Sequence, residues 1–382
     1  MSRSQLNIFF AAHDSLFFRG SRPHSAAGGS SLSSEFPPAV STLSGSLRTR
    51  LGDALGICWK SFRKGRQQVQ LGNETLDLEE LIGSGDQTGL LQFGELKLYK
   101  NGKRLFPMPA ILLQDNNTNL VKMELGDPVR CDLGNVRLGQ LPKGVINAKP
   151  LENAWLTQAG FETFIKGGLP SSKEVVTEAD LFVLESRLGI GRNNSKARVE
   201  AGLLYQTKHL RLQPDVEFAV EVSLPSAAAK VLSASITASP MQRFGGEGRM
   251  ASLRVKEAGA ELPKVKGKPS LLMLLTDMLP HDNFAKQPLA QLQPAVVDGV
   301  DCWEGELEGV GLRLWNVASG KARRLGGWDA RLNQPRPVQS FLPAGSCFFV
   351  EPLNTNSDLT QLHTKTLGRR TDFGFGTLVC VL

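Results

Sequence analysis

Cysteine is scarce in this 382-residue chain: Cys58, Cys131, Cys302, Cys347 and Cys380 stand far apart, with no C-x-x-C pair. That scattered, odd-numbered set excludes a disulfide framework and a zinc ribbon, and predicts small buried apolar residues in a reducing compartment. Histidine is equally thin. His13, His24, His209, His281 and His363 never fall at ligand spacing, so no metal is expected. Apolar runs are short as well: Leu271–Leu275 cannot cross a bilayer, and Ile8–Ala12 is too brief for a secretory signal. A cytoplasmic protein without a membrane partner is the expectation. Catalytic signatures are also missing. Trp315 stands where a phosphate loop ending in Gly320-Lys321 needs glycine, and Gly374-Phe375-Gly376 lacks the third glycine of a dinucleotide fingerprint. No cofactor and no enzyme activity are expected.

What is present is positive charge, unevenly placed. The chain carries a formal +7, of which residues 1–66 supply +6, nine basic residues against Asp14, Glu35 and Asp53. The next stretch turns acidic through Glu74, Asp77, Glu79, Glu80 and Asp86. Such asymmetry in a chain of average composition favours a focused anionic partner over an evenly solvated surface. Within the basic stretch, Arg19 and Arg22 leave the end of a strand, His24 follows, and the hydroxyls of Ser41 and Thr42 open a helix that carries Arg48. Guanidinium forks, hydroxyls and helix-start N–H groups together suit a run of phosphates.

Periodicity outlines an α+β fold. Leu6, Ile8 and Phe10 alternate as a strand, and Leu43, Leu47, Leu51 and Leu55 recur every fourth residue in a helix that Ser41 would cap. Phe93–Tyr99 reads as a strand, Asn153–Lys166 as a helix, Val216–Leu224 as a half-buried strand, Ser226–Ser235 as a helix and Arg249–Lys256 as a strand. The resulting order, βαββαβ over residues 6–256, is ferredoxin-like and RRM-like, an arrangement whose open sheet often serves RNA. On this reading residues 1–262 form an N-terminal domain with an insertion at 100–212. Residues 263–382 form a smaller second domain of the same type, ending in a glycine-rich loop and a strand.

Three further segments share the same chemistry. Glu185–Arg211 holds Arg187, Arg192, Lys196, Arg198, Lys208 and Arg211 against two acids, with a turn-rich centre at 191–196, which predicts a protruding basic β-hairpin. Arg243, Gly245, Gly246 and Arg249 surround a turn before a strand, and Gly374 and Gly376 precede the last strand. Glycine permits a backbone to approach a phosphate closely, and equally an ordinary tight turn.

These motifs resemble a known family. Leu16-Phe17-Phe18-Arg19-x-x-Arg22-Pro23, Phe36-Pro37-Pro38, Ser41-Thr42-Leu43-x-Gly45-x-Leu47-Arg48-Thr49, Glu185-x-Arg187-x-Gly189-Ile190, Glu200-Ala201-Gly202-x-Leu204-Tyr205, Gly245-Gly246-Glu247-x-Arg249, Gly326-Gly327-Trp328-Asp329, Pro343-Ala344-Gly345-Ser346 and Gly374-x-Gly376 occur in order along nearly the whole chain. The set is similar to the third subunit of type III-B (Cmr) CRISPR effector complexes, a RAMP protein. The resemblance implies two ferredoxin-like domains and a subunit that binds the 5′ handle of the CRISPR RNA. It also implies docking on a cyclase/polymerase-like large subunit, contact with the first backbone RAMP subunit, and only indirect contact with target RNA. Arg19, Arg22, Ser41, Arg48, Gly245, Gly246, Arg249, Gly374 and Gly376 would touch the handle, and the Arg187–Tyr205 hairpin would be a thumb that kinks the guide. The chain departs from the family at Gly20-Ser21, where an acidic-glycine pair is usual, and at His24, usually aromatic. The rival readings are a handle-binding subunit of a type III-D complex, a repeat-processing endoribonuclease using His13 or His24, and an assembly factor docking through the regions around Trp303 and Trp328.

Overall fold

The computed structural model describes residues 2–20, 31–65, 67–193, 195, 198–256, 262–282, 284, 287–329 and 331–382, with backbone alone at 31, 191–193 and 198–204. The fold is mixed α+β and rich in strands. Two compact units emerge, Met1–Gly102 with Glu178–Gly259 and Arg324–Gln339, and Lys103–Thr177 with Ala260–Arg323 and Ser340–Leu382. Each draws on three chain segments, so neither follows the division at residue 262 that the sequence suggested. Lys103–Thr177, read there as an insertion in the first domain, goes with the second unit.

The first unit contains β1 (Arg3–Ala12), α1 (Val40–Ala54), α2 (Trp59–Lys64), β2 (Gln92–Lys100), the hairpin arms β3 (Phe182–Asn193) and β4 (Arg198–Leu212), β5 (Val216–Pro225), α3 (Ser226–Ala238) and β6 (Met250–Lys256). Four strands run in the order β2-β5-β1-β6, each antiparallel to its neighbour. The register sets Phe10 opposite Phe218 on one side and Leu253 on the other, so alternate residues build one apolar face. Phe244 lies on that face, 4.8 Å from Phe10 and 5.1 Å from Phe18 between ring centroids. Leu43, Leu47 and Leu51 are fully buried along one stripe of α1, as their spacing predicts. The helix starts one residue earlier than expected. Ala39 is its N-cap and makes no side-chain cap bond, so Ser41 sits inside the first turn and caps nothing.

The second unit is built on β7 (Leu271–Leu274), β8 (Leu292–Val297), β9 (Val300–Leu307), β10 (Val310–Ala318), β11 (Cys347–Pro352) and β12 (Leu378–Val381). They form one antiparallel sheet in the order β8-β9-β10-β11-β7-β12. The continuous apolar run in β7 is explained by burial on both faces. Leu271 and Met273 join Phe161 and Phe164 in one core, while Leu272 and Leu274 join Leu359 and Leu362 in the other. The expected helix over 153–166 is split: Ala154–Thr157 is a strand and Gln158–Ile165 the helix. Thr157 makes the break, its hydroxyl accepting from Gly160 N–H at 3.3 Å as an N-cap.

Three of the five cysteines are buried, but Cys58 is exposed and Cys131 half-buried, which corrects the expectation for those two. Cys58 immediately precedes α2, and Cys131 ends a two-stranded hairpin strand. No helix among the described residues is long and apolar enough to cross a membrane.

Candidate nucleic-acid interface

The loop after β1 is stitched to two other parts of the first unit. Leu16 and Leu210 exchange both backbone hydrogen bonds at 2.8 Å, tying the loop to hairpin arm β4. Gly246 N–H donates to the Phe17 carbonyl at 2.8 Å, tying it to the glycine turn before β6. Gly245 has φ +84°, and an added Cβ would stand 2.5 Å from the Phe17 carbonyl oxygen. Only glycine fits that approach. The loop that carries Arg19, the glycine turn and hairpin arm β4 therefore meet in one place.

Charge concentrates at this junction. Arg187 donates from Nε to Glu185 at 2.8 Å, and Arg211 donates from its Nε to the same carboxylate at 2.7 Å. Asp14 takes Arg211 Nη1 at 3.0 Å, Arg249 Nη1 at 3.3 Å and Arg187 Nη2 at 3.4 Å. Three guanidiniums from three chain segments thus share two carboxylates. The Ser15 backbone N–H and then Arg211 hold the Asp14 carboxyl below its ordinary pKa, while Arg211 and Arg187 do so for Glu185. Beneath them His209 is buried, its ring stacked on Phe17 at 5.1 Å and its Nδ1 3.3 Å from Ser15 Oγ. Burial, then Arg249 and Arg187, lower its pKa.

The predicted residues separate into groups. Arg187, Arg249, Gly245 and Gly246 lie at the junction, and Arg19 is exposed on the same loop, paired through its backbone with Ser34. Ser41 and Thr42 are half-buried at the start of α1, and Arg243 is exposed with its carbonyl accepting from Ser46 Oγ at 2.9 Å. Arg48 is turned inward. It is 9% exposed and donates to the Gln87 carbonyl, so its place on α1 gives it a partner inside the fold. Gly374 and Gly376 belong to the second unit and are buried, Gly376 N–H donating to the Asp277 carbonyl at 2.9 Å. Close packing of chain on chain, rather than an open cradle, explains Gly376, where an added Cβ would meet the Leu367 carbonyl. Arg22, His24 and Lys196 lie outside the described residues, as do the side chains of Arg192 and Arg198; on the hairpin arms Arg192 stands opposite Val199, and Arg198 opposite Asn193.

Asp14, Glu185, His209 and Arg211 were not singled out as site residues. A signal for one of them, Glu185, existed in Glu185-x-Arg187, because residues two apart on a strand share a face. Arg211 joins them across the hairpin, where the register sets His209 opposite Glu185.

No curated protein matches the chain. Among solved structures, a chain of type III-B Cmr-beta bound to cognate target RNA and AMPPnP is 15% identical, with TM-score 0.49 over 90% of this chain and 86% of that one. A chain of the Csm3–Csm4 subcomplex of the type III-A CRISPR-Cas interference complex is 12% identical, with TM-score 0.40 over 90% and 92%. The family model of CRISPR-associated protein (Cas_Cmr3) matches residues 9–382. That match spans the grip, the hairpin and the glycine turns alike, and the chain belongs to the Cas_Cmr3 family, as a subunit of type III-B CRISPR effectors.

Proposed function

We propose that this subunit holds the single-stranded 5′ handle of the CRISPR RNA and performs no bond chemistry itself. The observation that carries the reading is the convergence of Arg187, Arg211 and Arg249 beside the exposed Arg19 loop. Guanidinium forks and closely approaching glycine backbone match a phosphate chain better than a compact substrate. The hairpin adds exposed apolar side chains, Leu184, Leu188 and Ile190, at alternate positions of β3. Such side chains can insert against splayed bases, the part expected of a thumb. We further infer that both units are ferredoxin-like RAMP domains. In the first, taking βαββαβ strands in chain order, the sheet order is 4-1-3-2. The second repeats that order as β12-β7-β11-β10; in chain order the β8–β9 hairpin, which extends the sheet past β10, and short 3-10 turns take the places of the two helices. Docking on the cyclase/polymerase-like large subunit and on the first backbone subunit in the cytoplasm completes the proposal.

Filter binding of the full chain to labelled CRISPR RNA, with and without its handle, tests this reading when the products are run on a denaturing gel. Handle-dependent retention of intact RNA is the expected result. Handle-independent binding overturns it, and cleaved RNA assigns the chain to processing instead.

A further inference from the structure

We propose that Asp14 is a positioning residue that exchanges general attraction for RNA against selectivity, by giving three guanidinium groups one shared anchor. The inference rests on the handle-binding reading and names the residue that organises it. Asp14 leaves 44% of its side chain exposed, yet receives Arg187 and Arg211 from the hairpin and Arg249 from the turn before β6. The three arginines are not equally held. Arg187 and Arg211 are also fixed to Glu185, each through Nε and Nη2. Arg249 reaches only Asp14 of the two carboxylates, and its Nε is buried without a hydrogen-bond partner. Of the two carboxylates, Asp14 alone therefore orients the Arg249 guanidinium.

Charge and geometry pull in opposite directions here. Three arginines against two carboxylates leave the cluster with one net positive charge; without Asp14 it would carry two. More charge strengthens attraction for any RNA backbone, because counterion release ignores sequence. A fork held in one orientation accepts one backbone path better than others. Removing the carboxylate improves the first property and damages the second. Asp14→Asn, nearly the same in shape, should therefore bind unrelated single-stranded RNA about threefold more tightly at low salt, and steepen the log–log salt slope by about 0.7, the increment for one further phosphate contact. The handle should gain nothing, so the preference for handle over a permuted sequence should fall severalfold.

The experiment is filter binding of the full chain to a handle-bearing RNA and to one of equal length with the handle permuted, from 50 to 200 mM salt. Asp14→Asn, Asp14→Glu, Arg249→Gln and the Asp14→Asn/Arg249→Gln pair are compared with the natural chain. Selectivity lost in Asp14→Asn, restored in Asp14→Glu, and insensitive to Asp14→Asn once Arg249 is Gln supports the proposal. Natural selectivity and slope in a folded Asp14→Asn overturn it. So does an Asp14→Asn chain that melts before it can be assayed, since the residue would then be structural. A natural chain that does not distinguish the two RNAs overturns the handle-binding reading itself, before any variant is compared.

Discussion

Phe244–Arg249 and Arg370–Gly376 both set glycines beside an arginine just before a strand, and in sequence they read alike. In the first, Gly245, Glu247 and Gly248 face solvent, and Arg249 reaches the Asp14 cluster. In the second, Gly374 and Gly376 are buried, and the Arg370 guanidinium lies over the Phe373 ring at 4.6 Å instead of outward. Gly376, at φ +78°, would place an added Cβ 1.8 Å from the Leu367 carbonyl oxygen. Glycine thus answers two different demands. One turn lets the chain run close beneath a charged surface, and the other lets two backbone segments close on each other inside a core.

The largest effect follows from that second demand. Gly376→Ala combines a left-handed backbone with a collision against main chain that cannot move aside, and should cost about 3–4 kcal/mol. Thermal unfolding should show a midpoint lowered by on the order of 10 °C. A shift of only a degree or two would mean that the turn is looser than its contacts indicate. Below the midpoint, the variant should bind RNA with the natural salt dependence, because a buried turn makes no phosphate contact.

That salt dependence is the next effect in size. Six phosphate contacts on a single strand give a log–log slope near −4, so affinity should fall roughly 300-fold between 50 and 200 mM salt. Replacing Arg211 by Ala should make the slope shallower by about 0.7, whereas the same change at inward-facing Arg48 should leave it alone and lower stability instead. A slope unchanged by Arg211→Ala would break the contrast between exposed and buried arginines.

The same contrast shows how far the sequence could be read. α1 was legible because Leu43, Leu47 and Leu51 repeat at helical spacing, and β1 and β5 because their apolar residues alternate. Residues 153–166 were misread because Ala154, Trp155 and Leu156 are all buried, so the short strand has no alternation and its apolar residues run on into the helical stripe of Phe161, Phe164 and Ile165. Arg48 and Arg249 are both arginines near glycine or hydroxyl residues. Only the tertiary fold places a carbonyl inside for one and a carboxylate outside for the other. The cluster around Asp14 was illegible for a related reason: its members are 173 and 235 residues apart in chain, joined by a hairpin register that no local pattern encodes.

The smallest effect separates the charged top of the junction from its buried base. His209 lies under the arginines, and burial, followed by Arg249 and Arg187, lowers its pKa, while Glu247 and Glu185 pull weakly the other way. An unfolded histidine takes its proton near pH 6.5, and the folded one resists. The unfolded state therefore binds more protons as pH falls below about 6.5, so stability is full above that value and declines beneath it. One histidine contributes at most about 1.4 kcal/mol per pH unit. Urea midpoints of the natural chain should drop more between pH 7.5 and 5.5 than those of His209→Gln, which has no proton to gain. Asp14→Asn should leave this difference in place, because its removal takes nothing from the burial that depresses His209. If the two pH profiles coincide, His209 titrates freely, and the base of the junction is wetter than its contacts with Phe17 and Ser15 imply.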